Sequence, residues 1–309
     1  MIPATTKQNI QVKPRKYHNK FRFKNGLIGW AFISIATVMI CIFYFYPMVQ
    51  ALILSFKSGA GTNLQFVGLD NYLRLFTDPT FIAALKNTVI YLIIQVPIMI
   101  ILAMLISVLL NNKKLKLKGF FRTAIFLPCI TSLVAYSVVF KYLFATDGII
   151  NKMLINVSLI SEPIQWLTDP FWAKVTIIIA ITWRWTGYNM IFYLSALQNV
   201  DHSIYEAAKI DGANAFQQFF KITIPMLKPI ILFTSITSTI GTLQLFDEVM
   251  NITKGGPGTA TLTISQYIYN LSFKYTPDFG YAATVSYAVV IMIVFFSILQ
   301  FKAAGDKNA

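Results

Sequence analysis

Groups able to do chemistry are scarce in this chain, and their placement is informative. Twelve Asp and Glu, two His and two Cys are spread over 309 residues. Cys41 and Cys129 lie inside apolar runs, and His18 and His202 have no ligand-like neighbours at zinc spacing. Neither a disulfide framework nor a metal centre is therefore expected. No Ser/His pair, HExxH pattern or paired aspartates fall within the apolar stretches, so no catalytic set is expected there either. Gly255-Gly256-Pro257-Gly258 lacks the Gly-Lys-Ser/Thr of a phosphate-binding loop and reads as a turn. Arg184, between Trp183 and Trp185, is a lone cation well inside an apolar run. It lies about ten residues in, roughly 15 Å deep at a helical rise. At that depth it costs on the order of 3 kcal/mol unless it faces protein or water. It therefore marks either a polar path or an internal tie between helices, and the two indoles could stack on it.

The second informative stretch runs from Ser203 to Pro229. Ser203 followed by Glu206 has the spacing of a capping box, which starts a helix. Ala207 and Ala208 are strong helix formers with almost no side chain, and Gly212 suits the left-handed position just past a helix end. Asn214 with Gln217 could cap a second helix. Phe216, Phe219 and Phe220 then fall on one face, expected to pack against neighbouring helices. Pro225 and Pro229 would end it. Two short helices with a tight corner are thus expected. The small face of the first could enter a groove on another protein, although an interfacial amphipathic helix would show the same pattern.

The elements that carry these groups are membrane spans. Only 12% of residues are charged and 56% are hydrophobic, against about 25% charged in an ordinary soluble domain. Mean hydropathy is +0.62. Runs long enough to cross a bilayer are read at Leu27–Met48, Asn87–Leu110, Phe120–Phe140, Val175–Val200, Pro229–Phe246 and Phe279–Phe301. The fold class expected is therefore all-α, a membrane protein of six transmembrane helices. Segments 1–26, 111–122, 201–228 and 302–309 hold 17 of the 26 Lys and Arg, while acids favour the other loops. The positive-inside rule then puts both termini and the 111–122 and 201–228 loops in the cytoplasm of a multi-pass cell-membrane protein. Topology accounts for the net charge of +14, so no nucleic-acid partner is expected. The basic tail from Gln11 to Lys24 reads as an irregular arm on anionic lipid, followed by an uncleaved first span.

Glu206-Ala207-Ala208, Gly212, Ile222 and Pro225 reproduce the spacing of the EAA motif of ABC-importer permeases, with Ile224 where Leu is usual. The run from Trp183 to Ala208 resembles the carbohydrate branch, with Val200-Asp201 where Ile-Pro is usual. Phe246–Phe273 resembles the outer loop of the maltose-type first permease subunit. The chain is thereby identified as resembling the binding-protein-dependent carbohydrate-uptake permeases over about residues 25–303. This resemblance implies a type I importer permease (MetI-like) fold. Its domains would be a tail at 1–26, a first span and outer loop at 27–82, a core of five spans at 83–301 containing the 201–228 coupling loop, and a tail at 302–309. The first span would be an extra helix crossing to a partner permease.

The resemblance also implies function. Glu206, Ala207, Ala208, Asp211 and Gly212 would dock on a cytoplasmic ATPase subunit. The partners would be a second permease, two ATPase subunits that hold ATP and Mg, and an extracellular binding protein. The chain itself would need no cofactor and would not be an enzyme. A sugar path needs hydrogen-bonding groups and aromatic faces. Tyr188, Asn189 and Tyr193 in the fourth span, Gln244, Phe246 and Asp247 near the end of the fifth, and Arg184 are the candidates, although such residues also serve helix packing. Other solutes, such as a glycerol phosphate or a polyol, would be favoured by basic groups along the cavity. A stand-alone secondary carrier would need no EAA loop.

Overall fold

The computed structural model describes residues 19–59, 64–112 and 114–304, with side chains from residue 29 onward. In chain order, α1 (Asn19–Ile40) passes through a π-turn (Cys41–Phe45) into α2 (Tyr46–Ser55). A short antiparallel pair follows, β1 (Lys57–Ser58) with β2 (Gln65–Phe66), in the register Lys57 to Phe66 and Ser58 to Gln65. Next come α3 (Asp70–Arg74), α4 (Pro79–Asn111), α5 (Lys118–Ile130), α6 (Leu133–Leu143), α7 (Ile149–Asn156) and α8 (Pro170–Gln198). The remainder is α9 (His202–Ile210), α10 (Ala215–Gln218), a π-turn (Phe219–Thr223), α11 (Ile224–Leu243), α12 (Asp247–Ile252), α13 (Ile264–Tyr269), a third π-turn (Asn270–Lys274) and α14 (Phe279–Ala304).

The chain divides into two compact units, Met1–Ala51 and Leu52–Ala309. In the first, every side chain from Gly29 to Gln50 is exposed, although the segment is rich in Phe, Ile and Tyr. Asn19 to Lys24 is already helical, where an irregular arm was expected; the rest of that arm and the last tail residues, 305–309, lie outside the described residues.

In the second unit α4 and α8 pack along much of their length, α5 lies on α8, and α11 lies against α4, α8 and α14. At Gly187 a Cβ would overlap the Ile125 carbonyl, so only glycine lets α8 and α5 approach this closely. The N-terminal end of α4 is held by one carboxylate. Asp78 accepts from the Thr80 and Phe81 amides at 2.8 and 3.2 Å, and from the hydroxyls of Tyr267 and Tyr281. Arg74 pairs with Asp278 at 2.8 Å and lies 3.8 Å over the Tyr281 ring. These contacts bind α3, α4, α13 and α14 together. Asn87 adds donations to the carbonyls of Thr259 and Leu262, which holds the turn around Gly255 down on α4.

Among the described residues, four helical segments are long and apolar enough to span a bilayer: Gly29–Ser55, Pro79–Asn111, Ala215–Leu243 and Phe279–Ala304. A fifth is reached if α5 and α6 are one bent span, and their axes differ by 101°. The third expected span is thus not a continuous helix. Pro128 inside α5 removes a backbone donor, and Thr131 is extended and Ser132 non-helical. Pro128 is the local signal for a kink here, but hydropathy alone does not show the break. α8, with 29 residues, is about 44 Å long and can cross a bilayer by length. Its Trp, Tyr, Asn and Arg content keeps it out of the apolar set.

The prolines after the corner also differ from expectation. Pro225 and Pro229 do not end a helix: α10, the π-turn and α11 run on without a break. Pro225 directly follows the π-turn, which supplies altered hydrogen-bond spacing ahead of it, with the Ile224 amide bonded to the Phe219 carbonyl.

Candidate functional site

A cavity of about 370 Å³ opens among α4, α8, α11 and the start of α12. Five of the residues picked from the sequence line it: Tyr188, Asn189, Gln244, Phe246 and Asp247. The helical period of α8 turns Trp185, Tyr188 and Asn189 to one side, and the end of α11 at Leu243 brings Gln244 to Glu248 across from them. Trp185 and Tyr188 meet edge to face at 5.8 Å, and Tyr188 meets Phe192 at 5.0 Å. Phe246 lies against Tyr269 at 5.3 Å on the other side. Aromatic faces therefore stand on both sides of the space.

Of the polar wall, Gln95, Asn189, Thr242 and Glu248 are buried, while Gln244 and Asp247 are exposed. Asn189 donates to the Trp185 carbonyl at 3.0 Å, while its Oδ1 is buried and has no hydrogen-bond partner. Such an acceptor costs about 1–3 kcal/mol until something donates to it. Gln95 accepts from Thr242 at 3.3 Å and donates to the Met99 sulfur at 3.2 Å. Asp247 and Glu248 contribute two carboxyl groups, and among the described residues no Lys or Arg lines the cavity. Gln95, Thr242 and Glu248 were not picked from the sequence. Gln95 did carry a signal, as an amide in the middle of the apolar run of α4.

Arg184 and Tyr193 are placed elsewhere. Tyr193 is fully buried and shares a hydrogen bond with Thr234, which ties α8 to α11. Arg184 is 6% exposed and stands behind the cavity wall. Its guanidinium donates to the carbonyls of Cys129 and Thr131, both at 3.4 Å, and lies 5.1 Å from the Tyr136 ring and 5.7 Å from the Trp185 ring. A cation at the end of α5 meets the carbonyls that the break at Thr131 leaves without helical partners. Trp185 takes the stacking expected of both indoles. Trp183 instead stacks on Tyr136 at 6.0 Å.

A second locus is the corner between α9 and α10. Asp201 caps α9, accepting from the Ser203 amide at 3.0 Å, and this hydrogen bond holds its carboxyl below the usual carboxylate range. Ser203 is therefore not the cap, and Glu206 lies on the outer face of the helix. The competing carboxylate two residues earlier was the better acceptor. The helix ends in a full Schellman motif: the Ala213 amide bonds to the Ala208 carbonyl at 2.8 Å, and the Gly212 amide to Lys209 at 3.1 Å. Gly212 has φ +81°, and a Cβ there would meet nothing within 4 Å. Asn214 and Gln217 form the expected capping box in both directions. Glu206, Ala207, Asp211 and Gly212 are exposed and Ala208 is half-buried. Ile210, at 87% exposure, and Phe216, at 72%, stand out beside them. Phe219 packs inward, whereas Phe216 and Phe220 pair with each other at 4.5 Å and remain exposed. The aromatic face expected to pack inward is thus divided between core and surface.

Comparison with known proteins gives this geometry a setting. Residues 79–303 match the family described as binding-protein-dependent transport system inner membrane component. The chain is 59% identical over 282 residues to the lactose transport system permease protein LacF of Rhizobium radiobacter, covering 91% of this chain and 95% of the relative. It is 36% identical to the arabinooligosaccharides transport system permease protein AraP of Halalkalibacterium halodurans, over 98% of this chain and 96% of the relative. Its fold is similar to a chain of a bacterial ABC transporter involved in import of the acidic polysaccharide alginate, with a TM-score of 0.81 at 22% identity over 94% of this chain and 100% of that one.

Proposed function

We propose, since the chain belongs to the family of binding-protein-dependent transport system inner membrane components, that it forms half of the translocation path of an ATP-driven carbohydrate importer. The protein is a multi-pass membrane transport component, not an enzyme. The observation that carries the carbohydrate reading is the cavity, which joins aromatic faces to amide and carboxyl groups. Pyranose rings offer CH-rich faces for the aromatics and hydroxyls that donate to Asn189 Oδ1, Asp247 and Glu248. The names of the relatives, lactose and arabinooligosaccharide permeases, support an oligosaccharide. Two carboxyl groups and no lining cation disfavour an anionic solute such as a glycerol phosphate.

The remaining machinery follows the same reading. Six spans are completed by counting α5 with α6 as one and including α8. Both termini and the α9–α10 corner lie in the cytoplasm of a bacterial cell, which the distribution of basic residues supports. The exposed corner docks on an ATPase subunit, and ATP and Mg are held there, not in this chain. A second permease and an extracellular binding protein complete the importer, and the binding protein supplies most of the specificity. Proteoliposomes containing the full assembly test this. Tyr188→Ala is expected to lower ATP-driven uptake of the transported sugar by tenfold or more while leaving assembly intact. Uptake unchanged by Tyr188→Ala would remove the cavity from the path, and sugar uptake by this chain alone would replace the importer with a carrier.

A further inference from the structure

A larger cleft, about 750 Å³, lies between the corner helices and the adjoining ends of α4, α5 and α8. Its lining includes Lys114, Lys118, Arg122, His202 and Lys209 and, among the described residues, not one Asp or Glu. The carboxylates of the corner, Asp201, Glu206 and Asp211, all lie outside that lining. Arg122 contributes a buried Nε with no hydrogen-bond partner. α5 begins at the cleft with no side-chain cap, so its first amides are also without an acceptor from a cap residue. A concave wall of one sign beside low-dielectric protein focuses a positive potential. Beside it, Phe120 and Phe121 at the start of α5 and Leu109 at the end of α4 are exposed apolar groups, as expected at a lipid boundary.

We propose that this cleft binds a phosphate-bearing anion, presented by the headgroup of an anionic phospholipid whose acyl chains lie along Leu109 and Phe120. The inference rests on the orientation proposed above, which puts the cleft at the cytoplasmic leaflet. Basic pockets between spans on that side are suited to anionic headgroups. Because α9 forms one wall, with Tyr205 bonded to Thr223 at 3.0 Å, an occupant would brace the corner from behind. A soluble phosphate compound shares the same chemistry without the acyl contacts.

The test uses the transporter purified with its co-assembled subunits. It is reconstituted in nanodiscs of phosphatidylcholine alone or mixed with phosphatidylglycerol, then extracted, and retained lipid is counted by native mass spectrometry. Wild type is expected to retain phosphatidylglycerol selectively, and Lys118→Gln with Arg122→Gln to retain at least about tenfold less. Lys118→Arg with Arg122→Lys keeps the charge and is expected to retain the lipid, which covers the case in which the neutral variant does not assemble. Equilibrium dialysis with labelled inorganic phosphate separates the sources. Saturable phosphate binding lost in the neutral variant, without lipid retention, would uphold the anion site and overturn its lipid occupant. Equal lipid and phosphate binding in all variants would overturn the site. In a Cys41→Ser, Cys129→Ser background, Lys209→Cys is expected to resist a membrane-impermeant maleimide added to intact cells. Labelling there would show the orientation to be wrong, independently of the site.

Discussion

Two residues show how the same sequence signal leads to different structural outcomes. Gly212 was chosen for its backbone, and the left-handed φ of +81° makes that requirement concrete. An L residue at such a position costs roughly 1–2 kcal/mol, less for Asn and Asp, whose short side chains tolerate it. Among the described residues, nothing beyond its chain neighbours lies within 4 Å of a Cβ built there, so replacement should spare the fold and disturb only what docks on the corner. Gly212→Asp is expected to reach the membrane at the wild-type level while ATP-driven uptake falls at least tenfold, measured in intact cells against an immunoblot. Gly212→Asn separates added volume from added charge. Normal uptake by both variants would remove the corner from coupling. Arg184, by contrast, was open to two readings from its sequence. The carbonyls of Cys129 and Thr131 at 3.4 Å make it a tie between α8 and the break after α5. It still bears on the cavity indirectly, through the Trp185 ring that it stacks behind.

At the scale of elements, α4, α13 and α14 meet at one carboxylate. Burial pushes the Asp78 carboxyl up, but hydrogen bonds from Tyr267, Tyr281 and the Phe81 and Thr80 amides outweigh it and hold it below the usual range. A carboxylate depressed in the folded state contributes stability that is complete above its unfolded value, about pH 4, and is lost as pH falls through the lower folded value. Asp78→Asn keeps the size but weakens all four acceptor contacts. Its melting temperature in detergent is expected to fall by several degrees near neutral pH, with the gap from wild type narrowing toward pH 3. A gap that stays constant down to that pH would mean that the carboxylate charge contributes nothing. The same element scale explains the broken third span. Pro128, the extended Thr131 and the tie from Arg184 accompany a 101° turn that hydropathy does not encode.

At the scale of the whole molecule, the exposed apolar side chains from Gly29 to Gln50 need a partner of low polarity, and lipid or a neighbouring span would serve. The importer reading adds exposed surface at the corner for an ATPase. A mild detergent pull-down from native membranes is therefore expected to bring down a second permease and two ATPase copies for each copy of this chain. Recovery of this chain alone, under conditions that keep a known importer assembled, would count against the coupling role of the corner.

Much of this was legible in the residues themselves. Low charge with long apolar runs determined a helical membrane protein, because a bilayer admits only segments that satisfy their own backbone. The corner was legible because caps and left-handed glycines are local chemistry: Gly212 and the Asn214–Gln217 box involve residues a few positions apart. Even there, Asp201 displaced Ser203 as the cap, since two nearby acceptors compete and only geometry selects one. The candidate site was legible in part. Tyr188, Asn189, Gln244, Phe246 and Asp247 were recognised by type, whereas Gln95, Thr242 and Glu248 join them only because α4, α11 and α12 pack against α8. Tertiary structure alone decided that Arg184 and Tyr193, on the same helix as the cavity residues, face neighbouring helices instead. The direction a side chain takes on a mostly apolar helix is set by what packs around it. That information lies in contacts between residues distant in sequence, beyond the reach of local pattern.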